Sequence, residues 1–289
     1  MSLAHHFVSG NAYFSGGVLI AAAALGSLLP GVLLGVACRV GALIGMALVL
    51  LSATPQPALL YAVWTAALLV WFVLHALRRS RAPAARRWVS CGVALLSCGA
   101  MLAEVPHRLA PQVPGGGYRS LYVIGDSISS GLGTEDGPVW PEILQARLPR
   151  AEVVNVARPG ATLSGALDQA DGIEGGEALV VLEIGGNDLL AGARAQGFAS
   201  GLEALLDRVC GPGRTVLMCE LPLPPFRTGC GRAQRRLAGE YGVITIPRHL
   251  FAGVLAGRGN TVDGIHLSRR GHQRMAEMMA SLLADAAGG

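Results

Sequence analysis

Hydrophobic and polar positions divide this chain into two textures. Residues 58–77, ALLYAVWTAALLVWFVLHAL, run for twenty positions without a formal charge, and at ~1.5 Å per residue such a helix crosses a ~30 Å hydrocarbon core. Residues 88–105 repeat the pattern at slightly shorter length. Residues 14–54 hold nearly forty mostly apolar positions, too many for one crossing, interrupted by Pro30 and Arg39. A mid-bilayer Arg costs at least ~2.5 kcal/mol on insertion scales, so two helices with a tight turn near residues 38–41 fit this segment best. The pattern therefore predicts a transmembrane region over 1–105 with four helices, at 14–36, 40–54, 58–77 and 88–105.

The texture changes after a linker at 106–118, PHRLAPQVPGGGY, dense in Pro and Gly. Apolar, β-branched runs at 120–124, 152–156, 178–184, 215–219 and 242–246 read as buried strands. Stretches with helical period separate most of them, at 141–148, 198–209 and 232–241, and 268–287 closes the chain. Regular alternation of strand and helix predicts a parallel sheet covered on both faces, a three-layer α/β/α domain over 119–289.

Charge sharpens this division. All 23 basic residues are Arg, and the first acidic residue is Glu104. Five of the arginines crowd into residues 78–87, RRSRAPAARR, between two predicted spans, so the positive-inside rule assigns that loop to the cytoplasm. Counting crossings outward puts Arg39 on the same side, and the N-terminus, residues 54–57 and everything after Val105 on the other. Without the five loop arginines, 18 basic residues face 19 acidic ones. The formal charge of +4 is thus a topogenic signal, and no nucleic-acid surface is expected. An internal signal peptide over 78–98, with LLSC at 95–98 as a loose lipobox, is the weaker reading because apolar spans precede it. The composition, 52% apolar and 15% charged with a mean hydropathy of +0.47, agrees with a membrane protein. The absence of Lys and the Ala, Gly and Arg bias fit a bacterial cytoplasmic membrane.

The six cysteines form no disulfide framework and no zinc pattern. Cys38, Cys91 and Cys98 fall in or beside predicted spans. Cys210, Cys219 and Cys230 leave room for one bridge. No metal or cofactor is expected.

In open parallel sheets, ligands bind outside the carboxyl ends of the strands. Four stretches fall there: IGDSISSGLG at 124–133, NVARPG at 155–160, GGND at 185–188, and DGIHLS at 263–268 ahead of the last helix. Their combined chemistry is acyl transfer. A serine hydroxyl attacks once an imidazole takes its proton, and the imidazole needs a carboxylate to fix its tautomer. Ser127, His266 and Asp263 supply these groups. The tetrahedral intermediate needs donors aimed at its oxyanion, and the backbone N–H groups of Ser127 and Gly160 and the Asn187 amide supply three. Taken singly, Ser127 would read as a helix N-cap, Gly160 and Gly185 as turn residues, and Asn187 as another cap. Order, spacing relative to the strands and residue type agree only for the set.

Together GDS, NVARPG, GGND and DGIHLS resemble the four sequence blocks of the SGNH/GDSL hydrolase family, over about residues 119–285. The resemblance implies a flavodoxin-like α/β/α fold, Ser127 as nucleophile, Asp263 and His266 as the other triad members, and Ser127, Gly160 and Asn187 as the oxyanion hole. The compact domain and short blocks look most like the lysophospholipase and arylesterase branch. Neighbouring motifs fit poorly: a G-x-S-x-G elbow requires Gly where Ser129 stands, and Gly131-Leu132-Gly133 comes too late for a dinucleotide fingerprint. Asp126 and Asp188 have no accompanying ligands that would make them a metal site. The expectation is a membrane-anchored serine esterase acting on an acyl ester, lipid included. An O-acetyl esterase or acyltransferase of cell-envelope carbohydrate is the second reading, and a non-catalytic membrane scaffold the third.

Overall fold

The computed structural model describes residues 3–76, 83–115, 117–132 and 137–287. Arg78, Arg79 and Arg81 of the basic loop, Gly116 of the linker and Gly133 lie outside the described residues. The chain forms two compact units, one chiefly His6–Arg108 and the other chiefly Leu109–Leu223 with Gly229–Gly289.

The first unit is helical: α1 (Leu3–Val8), α2 (Asn11–Gly26), α3 (Val32–Leu51), α4 (Ala58–Ala76) and α5 (Pro83–Glu104), which continues through a 3-10 turn to Arg108. Three segments, Val32–Leu51, Ala58–Ala76 and Pro83–Arg108, are long and apolar enough to cross a membrane, while Asn11–Gly26 is shorter. The break between the first two helices differs from the expected one. It falls between α2 and α3, not at 38–41, because Pro30 lacks an N–H and Gly31 adopts φ +135°. Arg39 consequently lies inside α3. Its guanidinium runs back beside Gly35, one turn nearer the helix start.

Small residues let these helices approach. A Cβ on Gly16 of α2 would lie 2.5 Å from the carbonyl of Gly45 on α3, so the two backbones are in close contact. Two fully buried tryptophans find partners on α5. Trp64 Nε1 donates to Ser97 Oγ at 3.0 Å, and Trp71 Nε1 to Ser90 Oγ at 3.0 Å. Gln56 Nε2 donates to Glu104 Oε2 at 2.6 Å, so this buried acid is hydrogen-bonded.

The second unit is the expected α/β/α domain. Five parallel strands, β1 (Ser120–Gly125), β2 (Glu152–Asn155), β3 (Ala178–Glu183), β4 (Arg214–Cys219) and β5 (Ile244–Ile246), stand in the order β2-β1-β3-β4-β5. Nearly all of β1 and β3 is buried whereas edge strand β2 is not, which is why the central strands read as unbroken apolar runs. Among the described residues the helices of this unit are, in chain order, α6 (Ser127–Ser130), α7 (Trp140–Arg147), α8 (Gly165–Ala170), α9 (Gly186–Leu190), α10 (Ala195–Val209), α11 (Thr228–Tyr241), α12 (Arg248–Leu255) and α13 (Arg269–Ala287). α7 and α12 pack against α13, and α8 against α10, as right-handed crossovers leaving β1 in opposite directions require. No disulfide joins Cys210, Cys219 and Cys230. Burial raises the Cys219 thiol well above its ordinary pKa and holds Cys210 at about 11.

Candidate active site

The chain leaves β1 toward β2 and returns past it to β3, so a crevice opens between the carboxyl ends of β1 and β3. Ser127 sits there as the first residue of α6. It is not the helix cap. Asp126 fills that role, its Oδ1 accepting from Ile128 N at 3.0 Å, which leaves the Ser127 hydroxyl free of capping duty. Gly125 is required just before it, since a Cβ there would lie 2.7 Å from Ser129 Oγ.

The second and third blocks are stapled to this turn. Asn155 Nδ2 donates to Ser129 O at 3.0 Å, and Arg158 N to Gly125 O at 3.2 Å. Gly160 adopts φ +72° with open space where a Cβ would stand. Asn187, in the first turn of α9, donates through Nδ2 to Ala161 O at 2.8 Å and to Asp126 Oδ2 at 3.4 Å. Asp188 Oδ2 accepts from Leu163 N at 3.0 Å, a structural role rather than a metal-binding one. Among the described residues no group of three or more His, Cys, Asp or Glu is arranged to hold a metal ion.

The fourth block is a short hairpin. Val262 N donates to His266 O at 2.9 Å and Ser268 N to Asn260 O at 2.8 Å, flanking a Thr261–Leu267 bridge. Asp263 and His266 form a pair across its tip, Nδ1 to Oδ2 at 2.6 Å. The other Asp263 oxygen accepts from the backbone N–H groups of His266 and Ile265 at 2.8 and 2.9 Å. The His266 side-chain bond, then these two amides, hold the Asp263 carboxyl well below the usual carboxylate range. An aspartate so held stays ionised and keeps the imidazole Nδ1 protonated, with Nε2 left to accept. Burial raises the Asp126 carboxyl overall, opposed by the Ile128 amide and by the proximity of His266. Among the described residues no hydrogen bond joins Ser127 Oγ to His266, a contact that commonly tightens only when substrate is bound.

Sequence reasoning missed a buried layer beneath the Ser127 turn. Glu183, at the end of β3, accepts from Ser129 Oγ at 2.8 Å, and Trp140 Nε1 donates to the same hydroxyl at 3.2 Å. Burial, followed by the Asp126 charge, pushes the Glu183 carboxyl well above its ordinary pKa. Trp140 N in turn donates to His272 Nδ1 at 3.2 Å, tying α7 to α13. The available signal was an acid in the last position of an apolar strand, ALVVLE, where a charge has to be paired or neutralised.

This layer has a pH signature. Burial lowers the pKa of His272 to about 4, against ~6.5 for an unfolded histidine. Between those values the unfolded chain binds the extra proton, so stability is complete above pH ~6.5 and falls as pH drops toward 4. The difference corresponds to about 3 kcal/mol at pH 4. Urea unfolding at pH 7 and pH 4.5 should therefore show a wild-type loss larger by about 2 to 3 kcal/mol than that of His272→Gln. Equal losses would exclude His272 as the proton-binding site.

The α/β domain is similar to known proteins. The model of the GDSL-like lipase/acylhydrolase family matches residues 123–274. Esterase TesA of Pseudomonas aeruginosa is 31% identical over 171 residues, 55% of this chain and 85% of that protein. The thioesterase 1/protease 1/lysophospholipase L1 of Escherichia coli K12 is 26% identical over 172 residues, 57% of this chain and 83% of that protein. A crystal structure of TesA superposes with a TM-score of 0.51 at 31% identity, covering 57% of this chain and 97% of that one.

Proposed function

Because the chain belongs to the GDSL-like lipase/acylhydrolase family and is a carboxylic ester hydrolase of the SGNH type, we propose that Ser127, His266 and Asp263 are its catalytic triad and that it cleaves lipid or medium-chain acyl esters while anchored in a membrane. Ser127 Oγ attacks the ester carbonyl as His266 Nε2 takes its proton. The oxyanion is met by the backbone N–H groups of Ser127 and Gly160 and by Asn187 Nδ2, whose 3.4 Å bond to Asp126 is the weak one of its two and gives way to substrate. Collapse of the intermediate breaks the C–O bond, and the alcohol leaves with the proton from His266. Water, deprotonated by the same imidazole, then hydrolyses the acyl-Ser127 ester and restores the free hydroxyl.

One observation carries this reading. The 2.6 Å Asp263–His266 pair lies near a nucleophile turn whose serine is spared from capping by Asp126. Electrostatics sustain the pair, since an aspartate kept ionised stabilises the imidazolium formed in each half-reaction.

The apolar acyl preference rests on the rim. Among residues 120–223 and 229–289, the exposed large apolar side chains are Leu132, Leu190, Val262 and Ile265. All four lie on the segments that carry Ser127, Asn187, Asp263 and His266. Surface carbohydrate offers nothing for such side chains to bury, whereas each buried methylene of an acyl chain contributes about 0.8 kcal/mol. Anchoring rests on the three long apolar helices, and an extracytoplasmic site on the five arginines of residues 78–87, which the positive-inside rule assigns to the cytoplasm. The test is a chain-length series on the full-length protein in liposomes. Hexanoyl and longer esters should exceed acetyl esters in kcat/KM by at least about tenfold. Equal rates, with rapid cleavage of acetylated glycans, would favour the carbohydrate reading.

A further inference from the structure

A second concave site lies apart from the triad. Between α12 and α13 is an open cleft of about 590 Å³, within the size range of small-ligand sites. Its charge is one-sided: Arg258, Arg270 and Arg274 line it against a single carboxylate, Glu277. That carboxylate is already engaged, accepting from Arg274 at 2.9 Å with Arg147 at 3.8 Å. Arg258 and Arg270 are exposed, and among the described residues neither has a carboxylate within ion-pair distance. Single unpaired arginines are common on surfaces. Two lining one cleft beside a third are less so, because guanidinium cannot shed its proton and a bound anion relieves their mutual repulsion.

The position of these two arginines gives the cleft a consequence. Arg258 precedes, and Arg270 follows, the ladder of bonds that closes the triad hairpin, which runs from the Ser268 Oγ bond to Gly259 O at 2.6 Å and the Ser268 N bond to Asn260 O up to Val262 and His266. The base of that ladder is stiff. Asn260 is buried with its Nδ2 donating to Val254 O at 2.8 Å, and a Cβ on Gly257 would lie 2.2 Å from that nitrogen. Opposite it the cleft is open, since a Cβ on Gly253 would meet nothing within 4 Å. An oxyanion held by both guanidinia would thus join the two roots of the segment that carries Asp263 and His266.

We propose that the α12–α13 cleft binds a phosphate-type oxyanion between Arg258 and Arg270, and that occupancy steadies the triad hairpin. Phosphate suits the site because its several oxygens satisfy two forked donors at once. The group is supplied either by a soluble phosphate compound or by an anionic phospholipid headgroup, two sources of the same chemistry.

The test uses the full-length chain in neutral detergent, titrated with inorganic phosphate at constant ionic strength and followed by phosphorus NMR line width. Saturable binding is expected, weakened at least about tenfold in R258A and in R270A and unchanged in R236A, which removes an arginine of α11 paired with Glu240. Amide exchange over residues 257–268 should slow about threefold on saturation. In liposomes free of phosphate, slowing with phosphatidylglycerol but not phosphatidylcholine identifies the headgroup as the source, and slowing only with added phosphate identifies a soluble one. The proposal is overturned if neither probe binds saturably, or if R258A and R270A bind phosphate as the wild type does. Phosphate binding that leaves hairpin exchange unchanged would overturn the steadying role. R270K, which keeps the charge but loses the fork, should bind phosphate at intermediate strength, and wild-type affinity in it would refute recognition by paired guanidinia.

Discussion

Replacing Ser127 with Ala is expected to lower kcat for ester hydrolysis by on the order of 10⁶. The loss is large because the acyl-enzyme route disappears altogether, and His266 and the oxyanion donors are left to act on a water that nothing positions. Stability should barely move. The hydroxyl makes no capping bond, since Asp126 holds Ile128 N in its place, so the expected cost is below about 1 kcal/mol, a Tm change within about 4 °C. Measured together, kcat and Tm separate a catalytic serine from a structural one. A variant that melts early and keeps a proportionate activity would mean that Ser127 serves only the turn.

Asn187→Ala is expected to lower kcat by about 10² to 10³ with a much smaller change in KM. The amide acts on charge that develops as the carbonyl becomes tetrahedral, so it contributes little to the ground-state complex. Its resting bonds matter to this expectation. Loss of the 2.8 Å bond to Ala161 O frees the segment just after Gly160, and a net hydrogen-bond cost of about 1 kcal/mol to stability should accompany the kinetic effect. A rise in KM at constant kcat would instead make Asn187 a substrate contact and remove it from the oxyanion hole.

Much of the catalytic domain was legible because parallel strands buried on both faces have to be apolar throughout. Each of the five strand segments read from the sequence corresponds to a strand, with ends shifted by no more than two residues. The short helices were not legible. α6 and α9 span four and five residues, too few to display a helical period, and they emerge only because Asp126 and Gly185 set the turns before them. In the helical unit the cost of Arg39 in a span competes with the breaking power of Pro30 and Gly31, and the expected turn followed the former. The backbone obeys the Pro-Gly pair, and the arginine adjusts through its side chain. Of the site, the four blocks were visible because small and polar residues follow strands at set intervals. Glu183 was not, since an acid at a strand end looks like the start of a loop until its partner Ser129 is seen beneath the nucleophile.

One serine, at the carboxyl end of β1, is expected to carry the acyl group. Fluorophosphonate labelling of the full-length wild-type chain in detergent, followed by peptide mass spectrometry, tests it most directly. A single phosphonyl adduct on Ser127 is expected, formed at a rate that collapses in His266→Ala because the hydroxyl then lacks its base. An adduct on Ser129, Ser130 or any other serine, or continued ester turnover by a chain that takes up no label, would contradict it.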